Sequence, residues 1–241
     1  VAYVLARFPL LSESFILEEI LGLEGLGLPV SVYAFRGPDP REMPARAAEL
    51  RARVAHLPSS PWQRVTRALA ANAAELLRGP IRYVRAALTC ISDPPTFRAW
   101  IGAVSWVRSM RESGVRMIYT HFLSAPAGVA RALSVLVGVP YGVTTHAEDL
   151  FLTPSKLLCA RARSASVVVT ISEFNRRLLA ERCPALDEGA VVVVHCGVDT
   201  SPAVRQPRRD TFVVISVGRL VPIKGHGTLL EALSLLARQD A

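Results

Sequence analysis

The sequence predicts an α/β protein with a parallel sheet covered on both faces, and three observations predict it. Short β-rich runs alternate with segments whose apolar residues recur at helical spacing, the pattern of successive βαβ units. Glycine and proline mark the junctions: Gly25 and Gly27 end the first helix and Pro29 leads into the next strand. Near the far end a Pro- and Arg-rich stretch is followed by a fresh strand, a glycine turn and a helix, which opens a second α/β unit.

Val1 to Leu5 reads as a strand. A helix follows from Ser12 or Ser14, with Ile16, Ile20 and Leu23 on one face and Glu18, Glu19 and Glu24 away from it. Val30 to Phe35 is the second strand, and Arg36 to Pro61 reads as loop or short helix. Three helical patterns come next, carried by Trp62, Val65, Leu69 and Leu76, by Ile81, Val84 and Leu88, and by Phe97, Trp100, Ile101 and Val104. Alternation then resumes with strands at 117–120, 141–145, 167–171 and 191–195. The helices between them lie near 125–137, 154–163 and 173–182. Residues 1–200 are expected to form one domain, 201–210 a linker, and 211–241 the start of a second domain whose strand is 212–217. Because Val1 opens in a strand and the last residues run in a helical pattern, both ends read as cut from a longer protein.

With 51% hydrophobic and 20% charged residues in 241, a sizeable core is expected and disorder is not. No apolar run reaches the roughly 18 residues of a membrane span. Cys90, Cys159, Cys183 and Cys196 lack C-x-x-C spacing, so reduced, mostly buried thiols in a cytoplasmic protein are expected, with no metal. The net charge of +8 is concentrated: residues 41–116 hold 13 Arg against five acidic residues, and the remainder is neutral. Such a field attracts anionic surfaces. Combined with Trp62, Trp100, Trp106 and Phe97, it fits a surface resting on anionic lipid, or apolar faces packed in a core with Arg solvated outside. A pI near 9.9 also raises nucleic-acid binding, but no recognisable binding motif accompanies it, and no nucleic-acid partner is expected.

In open parallel sheets ligands bind beyond the carboxyl ends of the strands. Those positions carry Ser12-Glu13-Ser14, His121, His146-Ala147-Glu148-Asp149, Ser172 and His195-Cys196-Gly197-Val198-Asp199. His146 reads as a site residue or as a core histidine satisfied by Thr144 and Thr145; His121, next to Phe122, is equally open. Ser172 most simply caps a helix, and Asp199 can anchor a turn. In the second unit Gly218-Arg219-Leu220 precedes Lys224-Gly225. Arg219 offers a planar fork to phosphate oxygens, Lys224 a mobile charge, and the two glycines close backbone approach at a helix start. A solvent-facing basic turn is the alternative. No G-x-G-x-x-G follows the first strand, and no Walker sequence, G-x-S-x-G or H-E-x-x-H appears, which demotes nicotinamide enzymes, P-loop ATPases and serine hydrolases.

Ser12-Glu13-Ser14-Phe15, Thr145 to Asp149, Ile171 to Asn175, His195 to Asp199 and Ser216 to Leu220 with Lys224-Gly225 together resemble retaining GT-B glycosyltransferases of family four. The likeness is nearest to the exopolysaccharide and colanic-acid type. It implies two Rossmann-like domains, a nucleotide-diphosphate-sugar donor, a glycan or lipid-linked acceptor, and electrostatic catalysis without metal or other cofactor. In it Gly218, Arg219, Lys224 and Gly225 hold the donor diphosphate and His146 meets the donor sugar. The loop of Ser12, Glu13 and Ser14 closes over phosphates and acceptor, with His121, Glu148 and Asp149 nearby. The family's paired Glu, eight residues apart, is expected past Ala241, so the chain as given is expected to bind donor poorly. A non-catalytic nucleotide-sugar-binding or accessory protein of the same fold is the alternative.

Overall fold

In the computed structural model, which describes residues 1–39, 41, 43–197, 213–218 and 220–239, the first unit is built on strand–helix alternation. Its strands are β1 (Ala2–Arg7), β2 (Ser31–Arg36), β3 (Arg53–His56), β4 (Ile118–His121), β5 (Tyr141–Thr145), β6 (Val167–Thr170) and β7 (Val191–Val193). Among the described residues they form one all-parallel sheet in the order β3-β2-β1-β4-β5-β6-β7. The order reverses between β1 and β4, so a crevice opens at their carboxyl ends, the switch point of a Rossmann-like sheet.

Helix α1 (Ser14–Gly25) covers one face through Ile16, Leu17 and Ile20, all buried against Tyr3, Leu5 and Val32. The opposite face carries α6 (Ala125–Val137), whose Ala127, Ala130 and Leu133 are fully buried with Val4, Ile118 and Val143. Gly138 ends α6 at φ 85°, the left-handed conformation that closes a helix. Of the helices α2 (Pro61–Arg78), α3 (Pro80–Cys90), α4 (Pro94–Ala103) and α5 (Val107–Glu112), the last three pack on α6 and α2 packs on α3 and α4. The first three start on proline, whose missing N–H costs nothing at a first helical position. Helices α7 (Ala147–Leu152), α8 (Ser155–Ala162) and α9 (Glu173–Arg182) complete the unit. Gly142 in β5 admits no side chain: an added Cβ would lie 2.6 Å from Val167 Cγ1 and 2.9 Å from Tyr119 Cδ2.

The structure corrects several expectations. Residues 36–61 contain a strand, β3, because a parallel edge strand needs only one neighbour and its short polar run carries no period-2 signal. Glu24 is buried, its carboxylate beside Arg51, and Glu19 turns inward rather than to solvent. Of the two readings of the aromatics, core packing holds for Trp100 and Trp106, whereas Trp62 is 79% exposed. Cys159 and Cys183 are joined as a disulfide between α8 and the end of α9, with Cα atoms 5.2 Å apart, a span that suits the bond. That replaces the expectation of four thiols by free Cys90 and Cys196.

The chain divides into compact units at 1–197 and 198–241. The expected linker, 201–210, together with Asp199 and Phe212, lies outside the described residues. Residues 213–217 form no strand with any described neighbour: Val213, Val214, Ile215 and Val217 are 43–93% exposed. A strand has no hydrogen bonds of its own and takes form only in a ladder. The helix expected after it is present as α10 (His226–Gln239). Among the described residues no helix is long and apolar enough to cross a membrane.

Candidate functional site

The carboxyl ends of β1, β4 and β5 bring His121 and His146 together because β4 and β5 are neighbours in register, with His121 opposite Thr144. The two imidazoles stack at 5.4 Å, and His121 Nδ1 lies 3.1 Å from His146 Nε2. On its other side, His121 Nε2 stands 3.4 Å from Glu19 Oε1, an ion-pair approach without a well-aligned hydrogen bond. Glu19 Oε1 in turn accepts from the Tyr3 hydroxyl at 2.5 Å. A carboxylate beside Nε2 favours the proton there, leaving Nδ1 of His121 to accept from His146. Tyr3, Glu19, His121 and His146 thus form one connected polar chain from the sheet to the crevice.

His146 is 7% exposed and caged by Phe15 and Phe122, with ring centroids 4.7 and 4.6 Å away. Burial first, and then the neighbouring His121, push its pKa down to about 3 against the pull of Glu19. The ring is therefore neutral across the physiological range; it can donate or accept a hydrogen bond but cannot serve as an imidazolium acid. Burial opposes the charge of Glu19, yet the contacts to His121, Tyr3 and His146 outweigh it and hold the carboxyl below its usual range. Phe122, which covers His146, has φ 68°, a strained value for a bulky residue.

Asp149 is 2% exposed and accepts three hydrogen bonds, from Leu123 N–H at 2.6 Å, Thr145 Oγ at 2.8 Å and His146 N–H at 2.7 Å. The last is the return half of a capping box at the start of α7. Burial raises its pKa in spite of these donors. Next to it Arg161, 4% exposed, binds the Leu123 carbonyl at 2.8 Å, Thr96 Oγ at 3.1 Å and the Asp93 carboxylate. Burial works against the charge of Arg161 and Asp93 supports it.

A cavity of about 430 Å³ opens on these groups, lined by Glu13, Asp93, His121, Glu148, Asp149 and Arg161 among others. It gathers four of the sequence-predicted residues: Glu13, His121, Glu148 and Asp149. His146 stands behind Phe122 rather than in its wall, and Ser12 and Ser14 are exposed at the mouth of α1. Ser172 caps α9, accepting from Asn175 N–H at 3.2 Å. Sequence reasoning missed Tyr3, Phe15, Glu19, Asp93 and Arg161. Of these only Phe15, next to the Ser-Glu-Ser run, had a local signal. Among the described residues no group of three or more His, Cys, Asp or Glu is placed to hold a metal ion.

In the second unit Arg219 lies outside the described residues. Lys224 is exposed in a short 3-10 turn, and Gly225 at φ 68° leads into α10. Gly218 lies against Lys224 and His226, since an added Cβ would be 3.6 Å from Lys224 Cγ and 3.4 Å from His226 Nε2. His226, assigned nothing from sequence, has its Nδ1 3.0 Å from Ser216 Oγ.

Comparison with known proteins gives the chain a family. A crystal structure of a glycosyltransferase from Rickettsia africae ESF-5 aligns with a TM-score of 0.44 at 14% identity, over 82% of this chain and 43% of that one. The chain thus spans less than half of that protein's length. No curated protein matches it. The description Glycosyltransferase Family 4 matches residues 12–202, and on that match over most of its length the chain belongs to that family.

Proposed function

We propose that the intact protein moves a sugar from a nucleotide-diphosphate sugar to a glycan or lipid-linked acceptor in polysaccharide biosynthesis, with retention and without metal. The observation that carries this reading is the family match over residues 12–202, joined to a polar cavity at the carboxyl ends of β1, β4 and β5. In the proposed reaction the sugar leaves its diphosphate as the acceptor oxygen bonds to the anomeric carbon, and the acceptor proton is lost to the departing phosphate side. Charge then builds on the diphosphate. Arg219 and Lys224 would hold it, with Gly218 and Gly225 letting the backbone approach. Neutral His146 suits a hydrogen-bonding role toward the donor sugar, while Glu13 and Glu148 offer carboxylates to acceptor hydroxyls. Residues 1–200 are the proposed acceptor-side domain and 211–241 the start of the donor side.

The proposed place of work is the cytoplasmic, inner face of a membrane, reached through the Arg-rich segment 41–116. That location requires the Cys159–Cys183 bond to be reduced in the cell or shielded from reductants. The activity is tested with the intact protein and a panel of sugar nucleotides, reading transfer and the anomeric configuration of the product. Arg219→Ala should lower transfer by about 10²-fold, the scale of losing one donor to developing charge. Unaltered transfer removes its diphosphate role, and an inverted product removes the retaining mechanism.

A further inference from the structure

A second cavity, of about 870 Å³, lies on the same sheet edge and is basic rather than acidic. Four arginines line it, from four different elements: Arg7 ends β1, Arg36 ends β2, Arg64 stands on α2 and Arg98 on α4. Arg7 and Arg36 are register partners in adjacent parallel strands, so the sheet itself sets the two residues side by side, and both line the cavity. Like charges that share a cavity repel, and a protein normally inserts carboxylates between them. Here the described lining residues include no Asp or Glu, and no salt bridge among the described residues reaches any of the four. Arg64 makes only hydrogen bonds to the Pro58 carbonyl, which leave its charge uncompensated.

The remaining wall is apolar. Val65 and Leu69 of α2 and Ile101 of α4 line the cavity while 37–68% exposed. Val65 and Leu69 lie on one helical stripe with Trp62 and Leu76, itself exposed, so the apolar wall runs out of the cavity along α2. The buried side of α2 is a different stripe, made of Ala68 and Glu75 with Ala71 and Asn72 partly covered. The exposed stripe is therefore not the one that seats the helix on its own core. Phe35, the aromatic in the lining, is stacked on Trp106 at 6.0 Å, so the cavity offers no free pair of rings for bases. Finally, Ala6 lines this cavity and the polar one containing His121 and Asp149, so the two meet at the end of β1.

We propose that this groove binds a phosphorylated amphiphile, its phosphate or diphosphate head on Arg7, Arg36, Arg64 and Arg98 and its apolar chain along Val65, Leu69 and Ile101. Planar guanidinium forks match phosphate oxygens, and several converging on one head compensate each other's charge through it. A free phosphate would use the arginines and leave the apolar wall unexplained. An uncharged lipid would do the reverse. The shared lining at Ala6 places whatever is joined to the head beside the polar cavity. This deepens the proposed function by naming the chemistry of the acceptor side, and rests on it only for that last step.

Binding is measured on the whole chain with no donor present, so its outcome is independent of sugar transfer. The probes are farnesyl diphosphate, farnesol and inorganic pyrophosphate, followed by calorimetry or tryptophan fluorescence. Farnesyl diphosphate is expected to bind at least tenfold more tightly than either of the others, and to weaken as salt is raised. Arg36→Ala with Arg98→Ala, both at exposed positions, should weaken it at least tenfold with the circular dichroism unchanged. Leu69→Asn should weaken farnesyl diphosphate and leave pyrophosphate as before. Pyrophosphate bound as tightly as farnesyl diphosphate marks an anion site alone, farnesol bound as tightly marks an apolar groove alone, and either overturns the proposal. So does full affinity in the double arginine variant.

Discussion

His146 contributes to the pH behaviour of the fold. His146 ionises near 6.5 in an unfolded chain and at about 3 in the folded one. Above the first value both states are neutral and the shift contributes nothing. As pH falls below it, the unfolded chain takes a proton that the folded one refuses, so stability declines until pH approaches the folded value. The slope reaches roughly 1.4 kcal/mol per pH unit for one such group. Glu19, held below its ordinary range, loses its contribution in the same direction at lower pH. Thermal melts between pH 7.5 and pH 4 should show this decline, and His146→Gln should flatten it. An unchanged slope in that variant would mean that the ring is not held neutral. At this scale the strand-end positions were legible in the sequence: the structure lines the cavity with His121, Glu148 and Asp149 and sets His146 beside them behind Phe122. The sequence was silent on Glu19 and Arg161. Glu19 sits on a helix whose period assigns it to solvent, and Arg161 meets Asp93 from 68 residues away, a pairing that only the packed structure makes.

Among the elements, α9 is tied to α8 by the Cys159–Cys183 bond and to the end of α7 by Arg182 reaching the carbonyls of Leu150 and Thr153. The cysteines are 24 residues apart, and closing a loop of that size stabilises by about 3 kcal/mol in the chain-entropy view. Cys159→Ser with Cys183→Ser should accordingly lower the melting temperature. Thiol titration of the denatured, unreduced protein should find two free thiols, Cys90 and Cys196; four would remove the bond. The elements were the most legible level. The apolar pattern marked α6 at the residues the structure gives it, because thirteen residues buried on nearly every side and closed by Gly138 leave little latitude. β3 escaped, since four residues with Arg53 and His56 at their ends carry neither length nor alternation. The pairing of cysteines on two separate helices likewise had no local mark.

Across the first unit, polarity and apolar surface are distributed unevenly. One sheet edge holds the histidines and carboxylates, while α2 and α3 display Trp62, Leu77, Ile81, Val84 and Leu88 to solvent, each 49–84% exposed. Arg67, Arg78, Arg82 and Arg85 stand on the same two helices. Under the proposed membrane role, the chain should co-sediment with anionic vesicles more than with neutral ones. Trp62→Ser with Ile81→Ser should cut that binding at least tenfold, since burying each large apolar side chain is worth about 1.5–3 kcal/mol. Equal binding to both kinds of vesicle would count against the role. The charge excess of residues 41–116 was plain in the sequence, but which aromatics remain outside was decided by packing: Trp100 and Trp106 went to the core and Trp62 did not. The polar edge has the opposite character. With one carboxylate, Asp149 fastens the loop after β4 to the loop after β5 through Leu123 and His146 amides. Loop amides ordinarily trade their hydrogens with water quickly, and core strands trade them last. In this protein the amides of Leu123 and His146 should keep their deuterium label as long as the strands beside them, a slow patch in the one place where loops are expected to be fast.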